Sequence, residues 1–400
     1  MKKILFVINT LGRGGAENAL VQLLKKLDDS KYQMDLYVIL GQGELIKKIP
    51  ASVNVLNKDY DDSSVLTEEG KKSLKKNILN KIFKRGSFFK NFFYMFGNGI
   101  SMVFKGKIYP DKLLWKTLSD ASEVFEDEYD LAVAFIEGAS TYYVKDHVKA
   151  EKKVTFYHTD YSQSGYTRKI DKDAYLYFDR VFAVSEKVRK EFLKVYPECE
   201  GKTDIFENIL DAREIREKAE SKGGFDDDFD GSRILTLGRL TEAKALDISI
   251  EACRILKDRK ENIRWYVFGE GELRTKLEEM VEKLDLKDCF FMEGVTDNPY
   301  VYLKQCDIYA HISKYEGKSV AIREAQVLGK PIIVSDNESN LEQVTDMENA
   351  LVSKLDPEDV AEKIIKLLHD PDLRKKLAGN ALEIVNDSDN IFKLENIMNQ

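Results

Sequence analysis

The sequence predicts an α/β protein of two consecutive domains, each built on a parallel sheet. Three observations carry that expectation. The chain has 400 residues, whereas one domain ordinarily takes about 100–200. Short apolar, β-branched runs alternate with helical patterns almost throughout, which is the signature of βαβ units and hence of parallel strands. The alternation breaks at the glycine- and aspartate-rich GGFDDDFDG of residues 223–231 and then begins again.

In chain order, KILFVI (3–8) reads as a buried strand. Its MKK start resembles that of a secretory leader, but the apolar run stops at Asn9 and no cleavage site follows. A glycine loop and a helix from about Ala16 to Leu27 come next. MDLYVIL (34–40), LAVAFI (131–136), KVTFYH (153–158) and RVFAVS (180–185) read as further strands. Past the break come RILTLGRL (233–240), a helix near 246–257, RWYVFG (264–269) and a helix near 272–284. CFFMEG (289–294), a helix near 299–305, DIYAHIS (307–313), a helix near 319–328 and KPIIVSD (330–336) complete the series. The expected domains are residues 1–208 and 209–380, with 381–400 a last helix packing back on the first domain. Ligands of open α/β sheets bind beyond the carboxyl ends of the strands, so the residues after each strand are the candidates.

Composition narrows the function classes. With 43% hydrophobic and 33% charged residues, neither a disordered chain nor a polytopic membrane protein is expected. A net charge of -8 argues against a dedicated nucleic-acid binder. The cysteines, Cys199, Cys253, Cys289 and Cys306, form no CxxC pair, so no zinc site or disulfide framework is suggested. The longest uncharged stretch, Asn91–Phe104, is short of the ~20 apolar residues a span needs. A cytoplasmic protein is expected. One segment departs from the trend: residues 71–107 hold ten Lys/Arg and no acid. Phe83, Phe88, Phe89, Phe92, Phe93, Tyr94, Phe96 and Phe104 lie among those cations. That mixture suits an anionic membrane surface, although a helical subdomain with its aromatics inside would account for the aromatics alone.

The first motif is the loop Leu11-Gly12-Arg13-Gly14-Gly15-Ala16-Glu17. Glycines let amides approach a phosphate, and the helix N-terminus that follows favours an anion. A dinucleotide fingerprint needs a third glycine where Glu17 stands, which disfavours a nicotinamide dehydrogenase. Alone, the loop fits a plain strand–helix turn equally well. The second half is more specific, because its motifs are collinear. Gly238-Arg239-Leu240 with Lys244 puts a planar fork and a point charge after a strand, as a diphosphate requires. Phe268-Gly269-Glu270-Gly271-Glu272 again follows a strand and opens a helix. Tyr315-Glu316-Gly317 precedes a helix holding Glu324, with seven residues between the two carboxylates. Carboxylates accept from sugar and ribose hydroxyls and stabilise positive charge at an anomeric carbon. The amides of Lys318, Ser319 and Val320 lie at a helix N-terminus suited to phosphate.

This series, closed by Glu324-Ala325 and Gly329-Lys330-Pro331-Ile332-Ile333, resembles the retaining nucleotide-sugar glycosyltransferases of glycosyltransferase family 4. The resemblance covers most of residues 233–345; the first half agrees more loosely, through its glycine loop and Tyr157-His158-Thr159. It implies the GT-B fold, two facing Rossmann-like domains with a cleft between them. It implies that Arg239 and Lys244 bind the donor diphosphate and Glu324 the ribose. Glu316 would contact the transferred sugar near the reacting centre, and Val295 would lie near the base. Gly15 would approach the donor phosphate, and His158 would face the sugar. His311 stands close enough to Glu316 to line the same site. The chain departs from the family at Ala245, where glycine usually follows the lysine, at Lys318, and at Asn337-Glu338-Ser339-Asn340, where a glycine pair is usual.

The expected activity is therefore transfer of a sugar, with retention, from a nucleotide sugar, a UDP-sugar before others. The acceptor would be a glycan, polyprenyl-diphosphate-linked as in many enzymes of this kind, in synthesis of a capsule, exopolysaccharide or related bacterial surface polymer. Such an enzyme is cytoplasmic and peripheral at the inner face of the membrane, with 71–107 its contact. No metal or other cofactor is expected. The Asp-x-Asp pattern of metal-dependent transferases occurs at Asp59–Asp61, Asp226–Asp228 and Asp387–Asp389, among other places, too often in an acidic chain to be informative. Asp226–Asp228 reads as solvated acid between domains. Two alternatives are a non-catalytic sugar-nucleotide-binding partner of another transferase and a nucleotide-sugar 2-epimerase.

Overall fold

The computed structural model describes residues 1–65, 67–104, 109–162, 164–383 and 390–399. Asp387-Ser388-Asp389 and residues 105–107 of the basic segment lie outside them. The chain divides into two units, Met1–Ile209 with the C-terminal segment, and the chain from Leu210 onward up to that segment.

The first unit is built on seven strands: β1 (Lys2–Ile8), β2 (Tyr32–Val38), β3 (Val53–Val55), β4 (Glu128–Ala134), β5 (Lys149–Tyr157), β6 (Arg180–Ala183) and β7 (Thr203–Ile205). They pair in parallel in the order β3-β2-β1-β4-β5-β6-β7. Strand β1 shows why its sequence is a continuous apolar run. Ile4, Phe6 and Ile8 enter the core on one face and Leu5 and Val7 the core on the other, so both faces are covered. Helix α1 (Gly15–Lys26) buries Leu20, Leu23 and Leu24 on one stripe and ends on Lys25 and Lys26, cations that suit a helix C-terminus. The order reverses between β1 and β4, which places the crevice of this sheet above the loops at Asn9 and Glu137.

Among the described residues, three α-helices are inserted between β3 and β4: α2 (Glu68–Ile82), α3 (Ser87–Phe104) and α4 (Pro110–Asp120). Thr67 caps α2 by accepting from the Gly70 N–H. Arg85 and Gly86, both at positive φ, turn the chain from α2 into α3.

The second unit holds β8 (Ser232–Leu237), β9 (Ile263–Phe268), β10 (Phe290–Gly294), β11 (Ile308–His311), β12 (Ile332–Ser335) and β13 (Leu351–Ser353). These are parallel in the order β10-β9-β8-β11-β12-β13. Trp265 is fully buried and donates its indole N–H to Thr236 Oγ1 at 3.0 Å. Asp227 is not the loose solvated acid that its glycine-rich surroundings suggest. It accepts from Tyr266 Oη at 2.7 Å, from Arg264 Nη1 at 2.5 Å and from Arg233. Those partners, Tyr266 first, hold its carboxyl below the usual range. The acid therefore latches the segment before β8 onto its own sheet.

The chain's last two helices go separate ways. Pro371–Glu383 puts Leu373 and Leu377 into the second unit's core. Ile391–Met398 puts Leu394, Ile397 and Met398 into the first unit's core. Lys2 Nζ donates to the Met398 carbonyl at 2.6 Å, and Tyr32 Oη to Glu395 at 3.0 Å. Strands β3, β7 and β13, which the sequence reading missed, have three residues each, too few to show a period.

Candidate functional site

The loops that leave the second sheet's carboxyl edge are stitched to one another through backbone. Gly238 N–H donates to the Phe268 carbonyl at 3.1 Å, and Leu240 N–H to that of Glu270 at 3.0 Å. Gly269 N–H donates to Gly294 at 2.7 Å, and Lys314 N–H to Ala243 at 2.7 Å. Glycine makes this closeness attainable. A Cβ on Gly269 would stand 1.8 Å from the Gly238 oxygen, and one on Gly271 would stand 2.3 Å from the Leu240 oxygen. The GEG sequence thus serves loop-on-loop packing. Its Glu270 is held by the guanidinium fork of Arg274, at 2.7 and 2.8 Å.

Lys244 ends a short turn, Glu242–Lys244, and is followed by Ala245 at φ +41. That conformation normally belongs to glycine, the residue usual here in the family the sequence resembles. The lysine stem lies along Gly238, where a Cβ would meet Lys244 Cε at 3.1 Å. Its Nζ stands 2.5 Å from Glu316 Oε1, with only 17% and 15% of the two side chains exposed. Burial pushes the Glu316 carboxyl up, but Lys244 and His311 outweigh it and hold the group at about 2. His311 Nε2 lies 3.2 Å from the same Oε1, and Tyr309 Oη lies 3.1 Å from His311 Nδ1. Burial, then Lys244, pushes the imidazole pKa down. Its partners fix the neutral tautomer: Tyr309 donates to Nδ1, and the Nε2 proton points at Glu316. Ser339 Oγ donates to the Glu316 carbonyl at 2.8 Å, so the unusual Asn337–Asn340 segment supports this loop. Asn337 caps that segment's short helix by accepting from the Asn340 N–H.

Glu324 sits elsewhere on the same edge. It rides on the helix Val320–Val327 and accepts from Tyr300 Oη at 2.9 Å. Burial raises its pKa, and the Tyr300 bond opposes the rise. Of the three amides expected to meet phosphate, that of Ser319 is engaged within the protein. The Gln343 side chain, turned to suit, accepts from Ser319 N–H at 3.1 Å and donates to its carbonyl at 2.8 Å. Lys318 and Val320 flank it, half-buried. Arg239 is exposed, and its side chain makes no hydrogen bond or ion pair among the described residues. Val295 is 39% exposed, immediately after Gly294 at φ +77.

The remaining two candidates belong to the first unit. Gly15 opens α1, and the Arg13 guanidinium in the loop before it lies 3.3 Å from Glu44. His158 follows β5. Its Nε2 donates to the Phe135 carbonyl at 2.8 Å, so Nδ1 is the ring's acceptor. Burial lowers its pKa and keeps it neutral. Glu137, nearly buried, accepts from the His158 N–H at 3.0 Å and from Thr159 Oγ1 at 2.7 Å. The sequence reading passed over Glu137 and Tyr300. Glu137-Gly138 follows a strand much as Glu316-Gly317 does, which was a usable signal; Tyr300 had none.

The paired cation and carboxylate at the end of β8 and β11 meet a matching family. Residues 217–383 match the family described as Glycosyl transferases group 1. That segment is similar to group 1 glycosyltransferase domains. Similarity to known proteins extends along more of the chain. An uncharacterized glycosyltransferase of Methanocaldococcus jannaschii is 24% identical over 252 residues, 54% of this chain and 61% of the relative. The N-acetylgalactosamine-N,N'-diacetylbacillosaminyl-diphospho-undecaprenol 4-alpha-N-acetylgalactosaminyltransferase of Campylobacter jejuni is 29% identical over 182 residues, 45% of this chain and 48% of that enzyme. The chain thus spans between about half and three-fifths of these two relatives' length. Among solved structures, Anabaena HepE in complex with UDP and glucose superposes with a TM-score of 0.63. It is 16% identical, covering 96% of this chain and 94% of HepE. The fold is GT-B, as in such glycosyltransferases.

Proposed function

We propose that the chain is a retaining glycosyltransferase that moves a sugar from a UDP-sugar to a lipid-linked glycan in the synthesis of a bacterial surface polysaccharide. The observation that carries this reading is the Lys244–Glu316 pair at the carboxyl edge of the second sheet. It sets a cation for a leaving diphosphate against a carboxylate for the reacting sugar. Arg239 reaches outward from the same loop as a second, unpaired cation. Glu324, held by Tyr300, takes the ribose hydroxyls, and Val295 borders the base. The amides near Lys318 and Val320 supplement the phosphate contacts. Gly15 approaches the donor phosphate, and His158, through Nδ1, meets the sugar. The names of relatives agree with this choice of partners: HepE is in complex with UDP, and the Campylobacter enzyme's name includes diphospho-undecaprenol.

The chemistry balances on these groups. The bond from the anomeric carbon to the diphosphate oxygen breaks, and its electron pair leaves with the phosphate. The acceptor oxygen bonds to the same face of that carbon, and its proton passes to the departing phosphate. Arg239 and Lys244 neutralise the charge that builds on the leaving group, a contribution typically worth ~10²–10³ in rate for each positioned donor. Glu316, fully ionised, steadies the positive charge at the sugar. No metal is required in this scheme. The test is nucleotide release by purified protein across UDP-, GDP- and ADP-sugars, in EDTA, with and without a membrane lipid extract. Release of UDP from one donor, dependent on the extract, is expected. UDP binding without release or transfer would replace the enzyme with a sugar-nucleotide-binding partner.

A further inference from the structure

Helix α3 is amphipathic the wrong way round for a soluble protein. Its inward side is largely polar, with Met102 its buried apolar residue. Ser87, Asn91 and Asn98 are buried. Ser87 Oγ donates to the Thr117 carbonyl at 2.6 Å, Asn91 Nδ2 to Asp120 Oδ2 at 2.8 Å and Asn98 Nδ2 to the Tyr94 carbonyl at 3.0 Å. Its outward side is apolar. Phe89, Phe93, Phe96, Ile100 and Phe104 are exposed, Phe93 by 83% and Phe104 by 88%. At helical spacing, these residues with Phe92 and Val103 fall within about 120° of one another, opposite the buried asparagines. The patch continues past the helix start: Phe83 and Phe88 rings are 5.2 Å apart, and Phe88 and Phe92 rings 6.1 Å.

We propose that this outer face of α3 is a docking surface that lies flat on anionic lipid bilayers. A stripe of phenylalanines this long needs an apolar medium to cover it. The helix is not long and apolar enough to cross a membrane, so it lies in the interface with its rings among the upper acyl chains. The surrounding charge selects the lipid. On α2 and the turn after it, the side chains of Lys72, Lys75, Lys76 and Lys84 are exposed and make no hydrogen bond or ion pair among the described residues. The sequence has no acid from residue 71 to 107 to offset them. A second copy of the chain docked face to face would bring these cations against one another, whereas phosphate headgroups would neutralise them. The inference stands on α3 and its surroundings and does not depend on the transferase reading.

The experiment is flotation of the purified protein with vesicles of phosphatidylcholine alone or mixed with phosphatidylglycerol, at low and high salt. The wild type floats with the mixed vesicles at low salt and stays behind with neutral ones. Replacing Phe89, Phe93 and Phe96 together by Ser lowers the bound fraction by about tenfold or more. Because the three rings are exposed, circular dichroism is unchanged. Replacing Lys72, Lys75 and Lys76 by Glu removes the salt-sensitive part of binding. Absence of flotation at low salt overturns the proposal, and so does equal flotation of the phenylalanine variant. A wild-type dimer that the same variant converts to monomer would also overturn it and make a second copy the occupant. Nucleotide release is read separately, so failure of the transferase reading leaves the flotation result intact.

Discussion

Glu316 Oε1 and Lys244 Nζ stand 2.5 Å apart although their residues are seventy-two positions apart in the chain. The sheet order explains the meeting, because β8, which leads to Lys244, lies beside β11, which leads to Glu316. Each cancels the other's charge. In the proposed reaction, a diphosphate arriving at Lys244 would compete for that cation and meet a carboxylate already ionised.

The ion pair makes stability depend on acid. Glu316 is held at about 2, below its ordinary 4.5. The folded state favours the ionised form, so the contribution is complete above pH 4.5 and is lost as the pH falls through about 2. The shift corresponds to about 3 kcal/mol. Urea unfolding of wild type and Glu316→Gln should therefore differ most near neutrality, draw together below pH 4.5 and converge only as the pH reaches about 2. A difference that holds constant on acidification would remove the pair from the account.

Lys244 and Arg239 share a proposed role but not an environment. Lys244→Ala leaves a buried carboxylate without its cation, which costs about 3–5 kcal/mol. Arg239→Ala removes an exposed side chain and changes stability by about 0.5 kcal/mol at most. Both lower UDP release by ~10²–10³-fold. Urea melts alongside the release assay check both halves. Wild-type release by Arg239→Ala would take the guanidinium off the diphosphate.

Gly269→Ala has nowhere to put its methyl group, since the Gly238 carbonyl would be 1.8 Å away. Backbone cannot swing aside as a side chain can, so about 1–3 kcal/mol of stability is lost. The loop carrying Arg239 shifts with it, and UDP binding weakens in calorimetry. Gly201→Ala, with nothing within 4 Å of its Cβ, is the control that keeps both. Equal behaviour of the two variants would deny that loop packing shapes the site.

Tyr300→Phe removes the hydroxyl that opposes the rise in Glu324's pKa. The carboxyl's pKa rises further, so the acid-side loss of UDP affinity moves toward neutral pH. The lost bond to a charged group costs about 1.5–3 kcal/mol. Calorimetry across pH reads the shift; an unmoved midpoint would mean that Glu324 is not what the nucleotide contacts.

Much of this architecture was legible in the residues. The longer strands are continuous apolar runs because helices cover both faces, as Ile4 to Ile8 illustrate. The three-residue strands β3, β7 and β13 were not legible, since a period needs repeats. Collinear motifs pointed to Lys244 and Glu316 separately, but their contact depends on strand order, which no local pattern encodes. Residues 71–107 announced an unusual surface by composition. That the asparagines rather than the phenylalanines would face inward depends on what α4 offers: the Thr117 carbonyl and the Asp120 carboxylate. Asp227 was misread because its partners Arg264 and Tyr266 arrive from β9, well downstream.

The helix Ile391–Met398 has a consequence for synthesis. Leu394, Ile397 and Met398 belong to the same cluster as Ile4, Phe6 and Leu24. A ribosome makes this helix only after the whole second unit, long after Ile4 and Phe6. The opening domain must therefore wait with an uncovered apolar groove while the entire following domain is translated and folds. A stop codon just before Ile391 would uncover the core around Ile4, Phe6 and Leu24, and the nascent groove is where a chaperone would be expected to bind.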